Sequence, residues 1–166
     1  EDKNILETIT TDSNGEATTS KYVIRDYNKI YLQEVSTNEK YVLNDELVEI
    51  KLEANKISEV KIENEKIKGK IKIIKTSKDD NKVTGEKAGT PLEGVIFEVY
   101  DINDNFIEKL TTNEKGIAIT SKLEKGKYKI KEISTNEWYY LDNNIITAEI
   151  KENNEIVDIY VTNESK

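Results

Sequence analysis

The feature that most constrains this chain is a period of two. Short apolar runs alternate with polar residues at 70–75, 94–100, 127–133, 145–150 and 156–161. Each run is rich in Ile, Val and Tyr and is bounded by Asn, Asp, Gly or Lys. Successive side chains point to opposite faces of a strand, so such a run buries one face and wets the other. Residues 101–105, 112–116 and 152–155 carry the turn formers that join strands into hairpins. Val48, Ile50 and Leu52 alternate with Glu49 and Lys51, which makes that stretch a strand rather than a helix. The pattern predicts an all-β fold, a sandwich.

The chain also resembles itself. Residues 5–65 and 107–164 fall into register: Thr10-Thr11 with Thr111-Thr112, Gly15 with Gly116, and Ser36-Thr-Asn-Glu39 with Ser134-Thr-Asn-Glu137. A period of about 100 residues suits tandem domains; solenoid repeats run roughly 20–50. The second copy has a leader, residues 68–105, for which the first copy has no counterpart. The expectation is therefore a complete domain at 68–166, preceded at 1–67 by the C-terminal part of another whose front half lies upstream. The junction, Lys66-Ile-Lys-Gly69, is short enough to hold neighbouring modules in a fairly fixed relation.

Composition removes whole chemistries. The chain has no His, Cys or Met, so disulfides, thiol nucleophiles, Ser-His catalysis and the usual zinc sites are excluded. With 25 Lys plus Arg against 33 Asp plus Glu, the net charge is −8. So acidic a chain is not a nucleic-acid binder, because phosphate contacts need clustered cations. No apolar run approaches the roughly 20 residues that span a bilayer, so no membrane insertion is expected in this segment. Glu1-Asp2-Lys3 does not resemble a signal peptide. Asp101-x-Asn103-x-Asn105 begins like a calcium loop. It then has Phe106 where Gly belongs and Thr112 where a bidentate Glu belongs, so a hairpin turn is expected and no metal or cofactor. Asn163-Glu-Ser165 is formally a glycosylation sequon, and the inward phase of Asn163 argues against a sugar there. Trp138, Tyr139 and Tyr140 form an aromatic cluster whose more ordinary use is packing against a loop.

Phase along the strands isolates three polar residues. Ile71 and Ile73 share a face with Lys75; Tyr128 and Ile130 with Glu132; Val157, Ile159 and Val161 with Asn163. The first copy repeats two of them, with Ile30 and Leu32 leading to Glu34, and Val60 and Ile62 to Asn64. One such residue is ordinarily a solvated strand end. An amine, a carboxyl and a carboxamide together are chemically complementary, and their burial is tolerable chiefly if they meet. Burial disfavours charge, so the amine would become neutral and nucleophilic. A protonated Glu132 would hydrogen-bond the Asn163 carboxamide oxygen and relay the proton from amine to leaving ammonia. Lys75 would attack the carboxamide carbon, giving a Lys–Asn amide. This happens once per molecule, so the chain is not an enzyme with turnover.

Residues 69–166 resemble the collagen-adhesin B-type repeat, also called the SpaA-like pilin domain, of Gram-positive surface proteins. The motifs are GKIKIIKTSKDD at 69–80, TPLEGVIFEVYD at 90–101, T-x₃-G at 112–116, GKYKIKEIS at 126–134 and VTN at 161–163. The resemblance implies a prealbumin-like (Ig-like) β-sandwich in which the first-strand Lys joins the last-strand Asn, assisted by the Glu. These positions are Lys75, Asn163 and Glu132, and Phe97 matches the family's aromatic beside the bond. The family's usual Ala-Pro-x-Gly-Tyr after the Glu is replaced here by Ser134-Thr-Asn-Glu-Trp-Tyr139. The first copy carries the resemblance on Glu34 and Asn64. Lys3 precedes it in no clear apolar stripe, so no bond is expected there unless an upstream segment supplies the amine. The implied function is a structural stalk of a cell-wall-anchored surface protein or pilus, extracellular, with the anchor outside this segment. Its partners would be neighbouring repeats of the same chain, and host matrix proteins through the full-length protein. The alternative is an adhesin domain that itself binds a host matrix protein.

Overall fold

A computed structural model describes residues 4–166. The chain divides into two compact units, one of Glu1–Val35 with Asn44–Glu63 and one of Ser36–Leu43 with Asn64–Lys166. In the first, β1 (Lys29–Leu32) and β2 (Val48–Lys51) form an antiparallel pair with Ile30 opposite Ile50. In the second, eight strands follow in order. They are β3 (Lys68–Ser77), β4 (Ile96–Asp101), β5 (Phe106–Thr111), β6 (Ile117–Ile119), β7 (Leu123–Glu124), β8 (Gly126–Ser134), β9 (Ile145–Ile150) and β10 (Ile156–Asn163). Among the described residues there is no helix, and so none long and apolar enough to cross a membrane.

The larger unit is a sandwich of two sheets. One has the order β10-β3-β6 with β7 also on β3; the other has the order β5-β4-β8-β9. All pairings are antiparallel except β3 with β10, which run parallel. The alternation seen in sequence becomes burial. β3 buries every second residue from Gly69 to Ser77, so Ile71 and Ile73 enter the core and Lys75 follows them. Ile71, Ile73, Val95, Phe97, Val99, Ile130 and Ile150 are fully enclosed between the sheets. At about 1.5–3 kcal/mol for each large apolar side chain buried, this layer supplies most of the driving force for the fold.

The sequence repeat is also a structural repeat. Ile30 opposite Ile50 in β1–β2 matches Tyr128 opposite Ala148 in β8–β9, both shifted by 98 positions. The turns repeat down to single hydrogen bonds. Asp12 Oδ1 accepts from Asn14 N and Glu16 N, as Asn113 Oδ1 accepts from Lys115 N and Ile117 N. Each of these turns closes on a glycine with positive φ, Gly15 and Gly116. Glu7 receives Ser20 N, and Glu108 receives Ser121 N. The copies differ at the counterpart of β10. Residues 58–64 form no strand, and Val60 is well exposed. In the second copy β10 takes its ladder from β3, and the first copy has no counterpart of β3 among the described residues. No described residue up to Ile67 is fully buried.

Candidate functional site

Three strands deliver the site. On parallel β3 and β10, Lys75 lies opposite Val161 and Ser77 opposite Asn163. Lys75 and Asn163 are therefore diagonal neighbours on the same inward face, within reach of a long side chain. Glu132 enters from β8 in the facing sheet, beside Phe97 of β4. Lys75 Nζ donates to Asn163 Oδ1 and lies 2.8 Å from Glu132 Oε2. Asn163 Nδ2 donates to Glu132 Oε1 at 2.6 Å and to Thr135 Oγ1 at 3.0 Å. The backbone N–H of Asp142 reaches Glu132 Oε1 at 3.4 Å. The Phe97 ring walls the amine, its centroid 5.9 Å from Nζ.

This pocket is dry. The side chains of Lys75 and Glu132 are 0% and 2% exposed. Burial pushes the Lys75 amine below the ordinary lysine value, while the hydrogen bond and charge of Glu132 pull it back up. An ion pair taken out of water costs several kcal/mol per ion before attraction offsets it, and removing one partner typically costs about 3–5 kcal/mol. The arrangement is thus expensive as structure alone.

Nδ2 of the carboxamide faces Glu132, and Oδ1 faces Lys75 Nζ. An amine donates and a carboxyl oxygen accepts, so each meets the complementary end of the amide.

The backbone around Lys75 is held on both sides. Its N–H donates to Gly116 O at 2.8 Å, and its carbonyl accepts from Leu92 N at 3.0 Å. Gly116 has φ 69°, and a Cβ there would lie 2.2 Å from the Lys75 carbonyl oxygen. Thr112, the other end of the T-x₃-G motif, accepts from Val95 N at 2.9 Å and donates to Leu92 O at 2.7 Å. Beyond Asn163 the chain is strapped down. Lys78 N donates to Asn163 O, Tyr140 N to Glu164 O, and Ser165 N to Asp79 Oδ1.

The other sequence candidates are placed as follows. Glu34 accepts from Asn44 N at 2.7 Å, the counterpart of the Asp142 contact on Glu132, and Asn64 Nδ2 donates to Val42 O at 3.0 Å. Lys3 lies outside the described residues. Asp101 Oδ1 accepts from Asn103 N and Asn105 N, closing the β4–β5 turn. Asn163, of the formal sequon, is buried. Tyr139 is buried with its hydroxyl donating to Glu86, whereas Trp138 and Tyr140 are exposed. Thr135 was missed. Its signal was the repeated Ser-Thr-Asn-Glu run, which marks a turn in both copies: Asn38 Oδ1 accepts from Lys40 N as Asn136 Oδ1 accepts from Trp138 N.

Known proteins share this architecture. The trypsin-resistant surface T6 protein of Streptococcus pyogenes serotype M6 is 37% identical over an alignment that covers 46% of this chain and 17% of that protein. The Bacillus anthracis TIE protein superposes with a TM-score of 0.83 at 25% identity, over 99% of this chain and 30% of its own. The minor pilin GBS52 of Streptococcus agalactiae superposes with a TM-score of 0.52 at 21% identity, covering 95% of this chain and 67% of that one, and shows the fold alone. The chain thus spans less than a third of the T6 and TIE proteins. The profile of the SpaA prealbumin-like fold domain matches twice, at residues 1–66 and at 69–165, and the chain belongs to that family.

Proposed function

We propose that residues 68–166 form a structural stalk module of a Gram-positive surface protein or pilus, tied internally by a Lys75–Asn163 amide that Glu132 helps to form. The observation that carries this reading is the fully buried Lys75 amine, in contact with both a carboxylate and a carboxamide. Glu132 Oε2 takes a proton from the ammonium across 2.8 Å, leaving a neutral amine in a dry pocket. The amine attacks Asn163 Cγ, a reaction that the enforced contact makes effectively unimolecular. Glu132, whose Oε1 lies 2.6 Å from Nδ2, gives that proton to the leaving nitrogen as the Cγ–Nδ2 bond breaks, and its carboxylate then takes the second proton from Nζ of the new amide. One N–C bond forms, one breaks, and ammonia departs.

The T6 relative supports a surface location, since it is a surface protein. In this reading residues 1–67 belong to a neighbouring module of the same family. The alternative, direct binding of a host matrix protein, would rest on Trp138 and Tyr140. Intact-mass measurement tests the tie: the wild-type chain is expected one ammonia lighter than its sequence, and Glu132→Ala at full mass. A full-mass wild type sinks it.

A further inference from the structure

The leaving nitrogen has a second partner besides Glu132. Asn163 Nδ2 carries two hydrogens; one is taken by Glu132 Oε1 and the other by Thr135 Oγ1 at 3.0 Å. We propose that Thr135 is a fourth member of the site, the hydroxyl that holds the departing nitrogen and hands it toward solvent. This rests on the Lys75–Asn163 reading above.

Three observations carry it. First, both acceptors converge on the one atom that must leave, and none of the groups around Oδ1 duplicates them. Second, a hydroxyl can both accept and donate. When the amine adds to Cγ, Nδ2 loses its amide resonance and gains a lone pair, to which the Thr135 hydroxyl can donate. As Glu132 delivers its proton, the nitrogen becomes ammonia, and the same oxygen still accepts an N–H that would otherwise be unpaired in a dry pocket. Third, Thr135 is half-buried, whereas Lys75, Glu132 and Asn163 are buried, so it stands between the sealed pocket and the surface. The first copy carries the same spacing, Glu34 followed three residues later by Thr37.

The test is a time course of intact mass after cell-free synthesis of the full 166-residue chain. Thr135→Val keeps the shape and loses the hydroxyl; its ammonia loss is expected to slow about tenfold, the scale of one hydrogen bond lost from a transition state. Thr135→Ser restores the hydroxyl and is expected to stay within about threefold of wild type. Equal rates for wild type and Thr135→Val would overturn the role of Thr135 and leave the bond standing. Thr135→Ser slowed as far as Thr135→Val would also overturn it, since packing and not the hydroxyl would then matter. A wild type that never loses ammonia overturns the parent reading instead.

Discussion

Burial holds the Lys75 amine below its ordinary value, so neutral, attacking amine is present at lower pH than for an exposed lysine. If Lys75 and Asn163 join as proposed, the rate is expected to rise with pH and to level off below pH 10.5, the ordinary lysine value. Mass-resolved rates between neutral pH and that limit check this; a rate that climbs steadily through 10.5 would count against it. Phase alone marked Lys75, Glu132 and Asn163 as inward polar residues, and they are buried in contact, because an inward stripe fixes where its next member points. The Thr135 hydroxyl was not legible, because it sits in the loop after β8, which periodicity does not describe.

Among the elements, β3 is the one the site depends on. It pairs with β10, β6 and β7, and its Lys75 is gripped by Gly116 and Leu92. Gly116→Ala would place a Cβ 2.2 Å from the Lys75 carbonyl oxygen, at φ 69°, where an L side chain is already strained. The backbone there must move, and the amine with it. Stability is expected to fall by roughly 2 kcal/mol or more, with slower bond formation. Denaturant unfolding and the mass time course measure the two effects separately. Unchanged values for both would mean that the turn does not position Lys75. The strands themselves were readable. The expected run at 70–75 sits inside Lys68–Ser77, and 145–150 coincides with β9. Val60 and Ile62 share a face with Asn64 in the sequence pattern, yet residues 58–64 form no strand, since a strand also needs a ladder partner, which no local pattern supplies.

For the whole larger unit, the tie would act on the unfolded chain more than on the fold. Lys75 and Asn163 are 88 positions apart. By analogy with a disulfide closing a loop of that size, the bond should add about 4–5 kcal/mol. Glu132→Ala is therefore expected to melt on the order of 20 °C lower than wild type, with the loss of a buried partner adding to this. The 25 Lys and Arg residues make any unfolded excursion a trypsin substrate, so the same variant should be digested at temperatures the wild type withstands. Equal melting and equal digestion would leave the tie without a mechanical purpose. The parallel pairing of β3 with β10 has a consequence for length. With the proposed tie in place, a pull entering at Lys68 and leaving past Asn163 would run along β3, cross at Lys75 and exit. At about 3.4 Å per extended residue, roughly 300 Å of chain would lie off the load path. A filament of such modules would break before it lengthened.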